Sequence, residues 1–319
     1  MGEAAKNLIE LRGDGKLPPV KVILGLGLRP LLQILWALVS NKRRSPFEDA
    51  KRAISLLSPA PIVEGHHHVP RRAPFVLVGN HYEAPGLWIG WVAAAITVAL
   101  GEAREPGQRE IRWVVHPEWG WFEAFGRWVP NPVTSLIFPR AIQVWGMIPM
   151  PARPSDVSGR ARALRQILSH LRPRSNSAAL EPEPIGLFPE GTATSTLREA
   201  KPGSGALLHR INRLGVPLLP VGTYLDGNVL IVRFGPPFHV VESTAGPGED
   251  TDSYVRRQVM TAIGQLLPEQ LWGPYAAAIR ERNGDSQCNY SESCSAVGQV
   301  AHHEDTKSTK TVLKSTLCP

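Results

Sequence analysis

The sequence predicts an α/β fold: a mixed, largely parallel sheet flanked by helices, with an N-terminal helical, membrane-associated segment. Three observations lead there. Short apolar runs alternate with longer stretches of helical spacing, as in strands joined by crossover helices. The last two strand-like runs meet at Asp226-Gly227-Asn228, a hairpin signal that adds an antiparallel pair. Hydrophobic residues make up 43% of 319, enough for the core of one large α/β domain.

The elements follow in order. Val22 to Ser40 is apolar, broken by Arg29, Pro30 and Gln33. It is nearly long enough to span a bilayer, but an Arg near its middle costs about 2.5–3.5 kcal/mol there. Pro30 would also kink a continuous helix. A helix lying in the interface, with Lys42, Arg43 and Arg44 meeting headgroups, is expected over an ordinary core helix. Ser45-Pro46 signals a helix start, and Phe47 to Leu57 has helical spacing. His66-His67-His68 reads as a solvated loop, since adjacent histidines do not share a helix face. Residues 74–79 form the first strand. Gly86 to Leu100 is apolar on nearly every face, so it is a buried helix or one that touches lipid.

Ile111 to Val115 is a second strand. Trp119, Trp121, Phe122, Phe125 and Trp128 read as a short helix whose aromatics belong to the core, to an acyl-chain tunnel or to the membrane interface. Ile142 to Met150 is a third strand, and Ser155 to Leu171 a basic amphipathic helix. After a Pro/Ser loop, Ile185 to Phe188 is a fourth strand and Glu199 to Leu214 a helix. Pro217 to Val221 and Val229 to Phe234 are further strands. Thr251 to Leu267 is a helix capped by Asp252 or Ser253. Beyond Asn283-Gly284 the chain turns polar without periodicity and is expected to be disordered. The expected division is therefore an N-terminal helical region (1–60), a main domain (61–284) and a tail (285–319).

The net charge is +7. The tail from Asp285 has four acidic residues and three lysines, so the positive charge lies in the body. That suits an anionic partner such as a phospholipid surface or a phosphorylated substrate. No nucleic-acid motif accompanies the arginines, and no nucleic-acid partner is expected. Cys288, Cys294 and Cys318 all lie in the tail, which is consistent with a reducing compartment. Met1 to Lys21 is polar and mixed in charge, unlike a secretory leader.

Two short motifs carry chemistry. Asn80-His81 follows the strand Phe75 to Gly79, and a histidine at a strand end can act as a general base. Phe188-Pro189-Glu190-Gly191-Thr192 follows a second buried strand. Gly191 permits a tight turn with exposed N–H groups, and the Thr192 hydroxyl is a further donor for a developing oxyanion. Taken singly, His81 reads as a strand-end cap and the other motif as an ordinary turn. No serine or cysteine sits in a nucleophile-elbow pattern, so an acceptor would attack directly. Metal-ligand spacings are absent.

With Gly146-Met147-Ile148-Pro149-Met150-Pro151-Ala152-Arg153, Lys201 to Ala206 and Val216 to Val221, these blocks resemble the glycerolipid acyltransferase family, over about Pro74 to Pro237. The resemblance implies transfer of a fatty acyl group from acyl-CoA or acyl carrier protein to a hydroxyl of lysophosphatidate or a related lysolipid. No other cofactor and no metal are implied. His81 would be the base. Asn80, Arg153, Glu190, Gly191, Thr192 and Lys201 would bind substrate, with Arg153 reading a phosphate and Glu190 orienting the acceptor hydroxyl or a neighbouring cation. A membrane lipid surface on the cytoplasmic face is the implied setting. One position departs: the family's Asp, five residues after the His, is Gly86 here. Glu83 is the nearest acid and is expected to replace it as orienter of the imidazole. A non-phosphate acceptor, or a catalytically weak lipid-binding homologue, is the alternative.

Overall fold

The computed structural model describes residues 9–10, 27–72, 74–85, 87, 89–117, 121–124, 127–130, 132–151, 155–172, 182–241 and 250–283. Gly86, Arg153 and the tail beyond 283 therefore lie outside the described residues. Met1–Ile279 forms one compact unit. Of the second unit, which begins at Arg280, residues 280–283 are described and are helical.

Eleven strands and seven further α-helices are described. The strands are β1 (Ile9–Glu10), β2 (Leu57–Ser58), β3 (Ile62–Glu64), β4 (Val76–Gly79), β5 (Arg112–Val115), β6 (Trp121–Ala124), β7 (Arg127–Pro130), β8 (Ile148–Pro149), β9 (Ile185–Leu187), β10 (Leu218–Asp226) and β11 (Val229–Phe234). The helices are α1 (Leu28–Ser40), α2 (Pro46–Ile54), α3 (Ile89–Ala103), α4 (Pro132–Trp145), α5 (Val157–Leu171), α6 (Ser204–Asn212) and α7 (Thr251–Gly264).

Seven strands make the main sheet, in the order β3-β11-β10-β4-β9-β5-β8. Every neighbouring pair is parallel except β10–β11, the hairpin around Gly227. The mixed, largely parallel α/β sheet is thus as expected. Its centre is dry on both faces: Val76, Leu77, Val78, Ile185, Leu218 and Leu219 are wholly buried. Continuous apolar runs are what a doubly covered parallel strand requires. The helices supply the rest of the core, with Trp91 and Ile96 from α3, Ile167 from α5, Leu208 from α6 and Val259 from α7. The α3 helix, apolar nearly all round, buries seven of its fifteen residues.

Capping accounts for several helix starts. Ser45 accepts from the Glu48 N–H with Pro46 at the first position, where a missing N–H costs nothing. Asp250, not Asp252 or Ser253, caps α7, by accepting from the Ser253 N–H. Asp252 instead accepts from Gly203 and Ala206 N–H at the start of α6.

Two further expectations are corrected. Trp121, Phe122 and Trp128 lie not on a helix but on the antiparallel pair β6–β7, registered Phe122↔Val129 and Glu123↔Trp128, while Trp119 and Phe125 lie outside the described residues. Aromatic residues favour strands. The strand expected from Ile142 shrinks to β8, because α4 runs through Trp145. Pro139 inside α4 disguised that helix, since an interior proline removes a backbone hydrogen bond and usually ends the pattern.

The α1 helix begins at Leu28, so Arg29 and Pro30 fall in its first turn, where proline does not kink it. Leu28, Leu32, Leu35, Trp36 and Val39 recur at helical spacing and are exposed, Val39 by 74%. Among the described residues, no helix is long and apolar enough to cross a membrane.

Candidate active site

The candidate residues collect at the C-terminal edge of the parallel strands, where open α/β sheets present their sites. β4 and β9 are neighbours, so their C-terminal loops emerge side by side. The first carries Asn80 and His81, the second Glu190 to Thr192.

Asn80 is buried and its amide is spent on β10. Its Nδ2 donates to the Thr223 carbonyl at 2.8 Å, and its Oδ1 accepts from the Thr223 N–H at 2.7 Å and from the Thr223 hydroxyl. The side chain continues the β4–β10 ladder one residue past Gly79 and fixes where His81 begins.

Glu190 is 3% exposed. Its Oε2 accepts from the His81 backbone N–H and its Oε1 from the Arg198 N–H at 2.7 Å. Burial pushes its pKa up, against the two backbone donors that favour the carboxylate. In this arrangement the carboxylate joins three loop segments. Two further bonds knit the same loops: Thr194 N–H to the His81 carbonyl, and Glu83 N–H to the Thr194 carbonyl, both 2.9 Å.

The His81 ring packs on Phe188 with centroids 5.1 Å apart, and Phe188 stacks on Trp113 at the same separation. Trp113 is itself held by an indole hydrogen bond to Thr97. Burial lowers the His81 pKa, while the Thr192 backbone and the Glu83 charge act to raise it. The balance favours a neutral imidazole at neutral pH, the form a base needs. Nδ1 is buried and has no hydrogen-bond partner. Nδ1 thus donates no hydrogen bond to the Glu83 carboxylate, the orienting contact expected of Glu83, and Glu83 acts on the ring through its charge.

Gly191 has φ +60, the left-handed region that glycine takes without strain. A Cβ here would meet Lys201 Cγ at 3.1 Å, so the Lys201 stem runs alongside the turn. The Lys201 N–H donates to the Pro189 carbonyl at 2.9 Å, which ties it to the same loop. Thr192 is exposed beside the histidine. The structure thus brings together Asn80, His81, Glu83, Glu190, Gly191, Thr192 and Lys201. Arg153 lies outside the described residues.

Sequence reasoning missed Trp113, Phe188 as a packing partner of the imidazole, Thr194 and Thr223. Only Phe188 had a signal, its place in the motif. The others join the site through tertiary pairing.

No family model matches the chain, and no curated protein matches it. Among solved structures it is similar to the 1-acyl-sn-glycerophosphate (LPA) acyltransferase PlsC from Thermotoga maritima. That similarity has 17% sequence identity and a TM-score of 0.41, over 78% of this chain and 88% of that one.

Proposed function

We propose that the chain is an acyltransferase that moves a fatty acyl group from acyl-CoA or acyl carrier protein to a hydroxyl of lysophosphatidate or a related lysolipid. The observation that carries this reading is His81 itself. It is a depressed-pKa imidazole at a strand end, tied through its backbone to the Glu190 turn. The family resemblance of the sequence blocks supports it.

In this reading the acceptor hydroxyl gives its proton to Nε2, since Nδ1 is buried. The hydroxyl oxygen attacks the thioester carbonyl. The oxyanion is met by the Gly191 turn and the Thr192 hydroxyl, with the Lys201 charge beside it. The C–O bond forms, the C–S bond breaks, and the proton passes from the imidazole to the departing thiolate. Asn80 and Glu190 act by positioning His81. Arg153 would take the acceptor phosphate through two parallel hydrogen bonds.

The exposed apolar stripe of α1, followed by Lys42, Arg43 and Arg44, supports a helix lying in a lipid interface. It would bring the protein to the membrane face where both substrates partition, and the basic body suits the anionic cytoplasmic leaflet.

A second reading is a lipid-binding homologue with little turnover. The unpartnered Nδ1 favours it, because no carboxylate holds that nitrogen. Release of thiol from acyl-CoA, followed with lysophosphatidate, lysophosphatidylcholine and a glycolipid as acceptors, separates the two. Turnover with lysophosphatidate that depends on acceptor, and a KM for it raised by Arg153→Ala, support the acyltransferase. Tight acceptor binding without thiol release supports the homologue.

A further inference from the structure

A cavity of about 510 Å³ opens at the opposite edge of the sheet, where β5 begins. Its lining includes Arg43, Arg44, Glu110, Arg112, Trp145 and Glu183. The four residues of β4 or β5, at about 3.3 Å each, put it on the order of 10 Å or more from the His81 edge.

The charges in this cavity are unevenly paired. Arg44 binds Asp49 through two hydrogen bonds, and the same carboxylate accepts from the Trp145 indole at 2.8 Å. Glu110 accepts from the Ser45 hydroxyl at 2.6 Å and from the Phe47 N–H. Glu183 is held by both Arg112 and His170. Each acid is thus engaged within the protein. Arg43 is exposed and has no acidic partner among the described residues.

Arg43 is nevertheless held beside a second cation. A Cβ on Gly146 would overlap Nη1 of both Arg43 and Arg112, so the two guanidinium groups converge on one point. Arg112 is fixed there by its pair with Glu183 and by Nη1 donating to the Gly146 carbonyl at 2.8 Å. Glu183 answers the Arg112 charge, while the Arg43 charge beside it has no acidic partner among the described residues and favours an anion there. Gly146 has φ +68 and no side chain, which gives the two guanidinium groups room to meet over it. Planar guanidinium forks match phosphate oxygens in pairs.

We propose that this cavity is a second anion site, which takes the phosphate ester of a glycerophosphate headgroup. Its volume is far beyond that of a bare phosphate and lies within the range of ligand pockets, about 300–1,000 Å³. Arg43 comes three residues after the end of α1, whose apolar stripe is exposed. A headgroup presented by a lipid surface would therefore reach the cavity mouth, and a soluble glycerophosphate shares the same chemistry.

The test uses the full chain and three proteins: wild type, Arg43→Glu, and Arg165→Glu as the same charge change at an exposed position on α5. Glycerol 3-phosphate is titrated calorimetrically. Co-sedimentation is measured on phosphatidylcholine vesicles with and without phosphatidylglycerol. Circular dichroism melts check that each variant folds. Wild type and Arg165→Glu are expected to bind glycerol 3-phosphate alike, and Arg43→Glu about tenfold or more weakly, the loss of one charge-assisted contact. Any binding at the His81 edge survives in Arg43→Glu as a separate component. If the source is lipid, Arg43→Glu also loses retention on phosphatidylglycerol vesicles, and glycerol 3-phosphate competes for it. If the source is soluble, vesicle retention is the same in all three proteins while the calorimetric loss remains. Equal binding of glycerol 3-phosphate by wild type and Arg43→Glu, or equal weakening in both variants, overturns the site.

Discussion

Glu190 Oε2 accepts the backbone N–H of His81 across 109 residues of sequence. Its other oxygen accepts from Arg198, so one buried carboxylate sets the distance between the histidine loop and the turn opposite it. A glutamine could accept at one oxygen only and would leave a buried N–H unpaired. Glu190→Gln is therefore expected to cost about 1–3 kcal/mol in urea denaturation and to lower kcat with it. Unchanged stability with a raised KM would instead assign Glu190 to the acceptor, as the sequence alone suggests.

Asn80 makes a parallel case. All three of its hydrogen bonds go to Thr223, which leaves packing and positioning as its role. Asn80→Ala is expected to destabilise the fold by about 1–3 kcal/mol in urea denaturation and to lower kcat more than it raises KM. A raised KM at wild-type stability would restore Asn80 to the substrate-binding set.

Much of this site was legible in the sequence, and the reason is local. Each motif directly follows a strand that a continuous apolar run marks, and although either alone reads as a cap or a turn, the two together point to one site. The unread part is what tertiary pairing decides. Nothing near Asn80 announces Thr223, and Glu190 looks like a substrate ligand until its two backbone donors are seen. The fold divides in the same way. The buried strands 76–79 and 185–187 declare themselves by continuous apolar runs. The β6–β7 pair was hidden because five aromatics fit several elements, and α4 because it tolerates Pro139.

Burial alone would raise the Glu183 pKa, but hydrogen bonds from His170 and Arg112 and their charges outweigh it and hold the carboxyl at about 2. A folded-state value below the ordinary 4.5 stabilises the fold at pH above 4.5, and that contribution is lost as pH falls from 4.5 towards 2. Wild-type stability, followed by urea denaturation, is expected to decline across that window. Glu183→Gln should be less stable at neutral pH and flatter through the window. Parallel curves for the two proteins would remove Glu183 from the account of acid sensitivity.

The apolar stripe of α1 faces away from the protein body. Leu32→Ser with Trp36→Ser should leave the melting temperature nearly unchanged, because both side chains are exposed by half or more. It should shift the protein from the vesicle pellet to the supernatant. A lowered melting temperature with unaltered sedimentation would make the stripe a contact surface within the protein.

The central claim is that His81 is the base for acyl transfer, and its most direct test is the pH dependence of thiol release from acyl-CoA by wild type and His81→Ala. Burial lowers the His81 pKa from 6.5, so the wild-type acidic limb should fall off below that value. His81→Ala should lose the limb and at least about 100-fold in kcat/KM, the low end of what a general base supplies. Turnover by His81→Ala within about tenfold of wild type, with the acidic limb intact, would contradict the account.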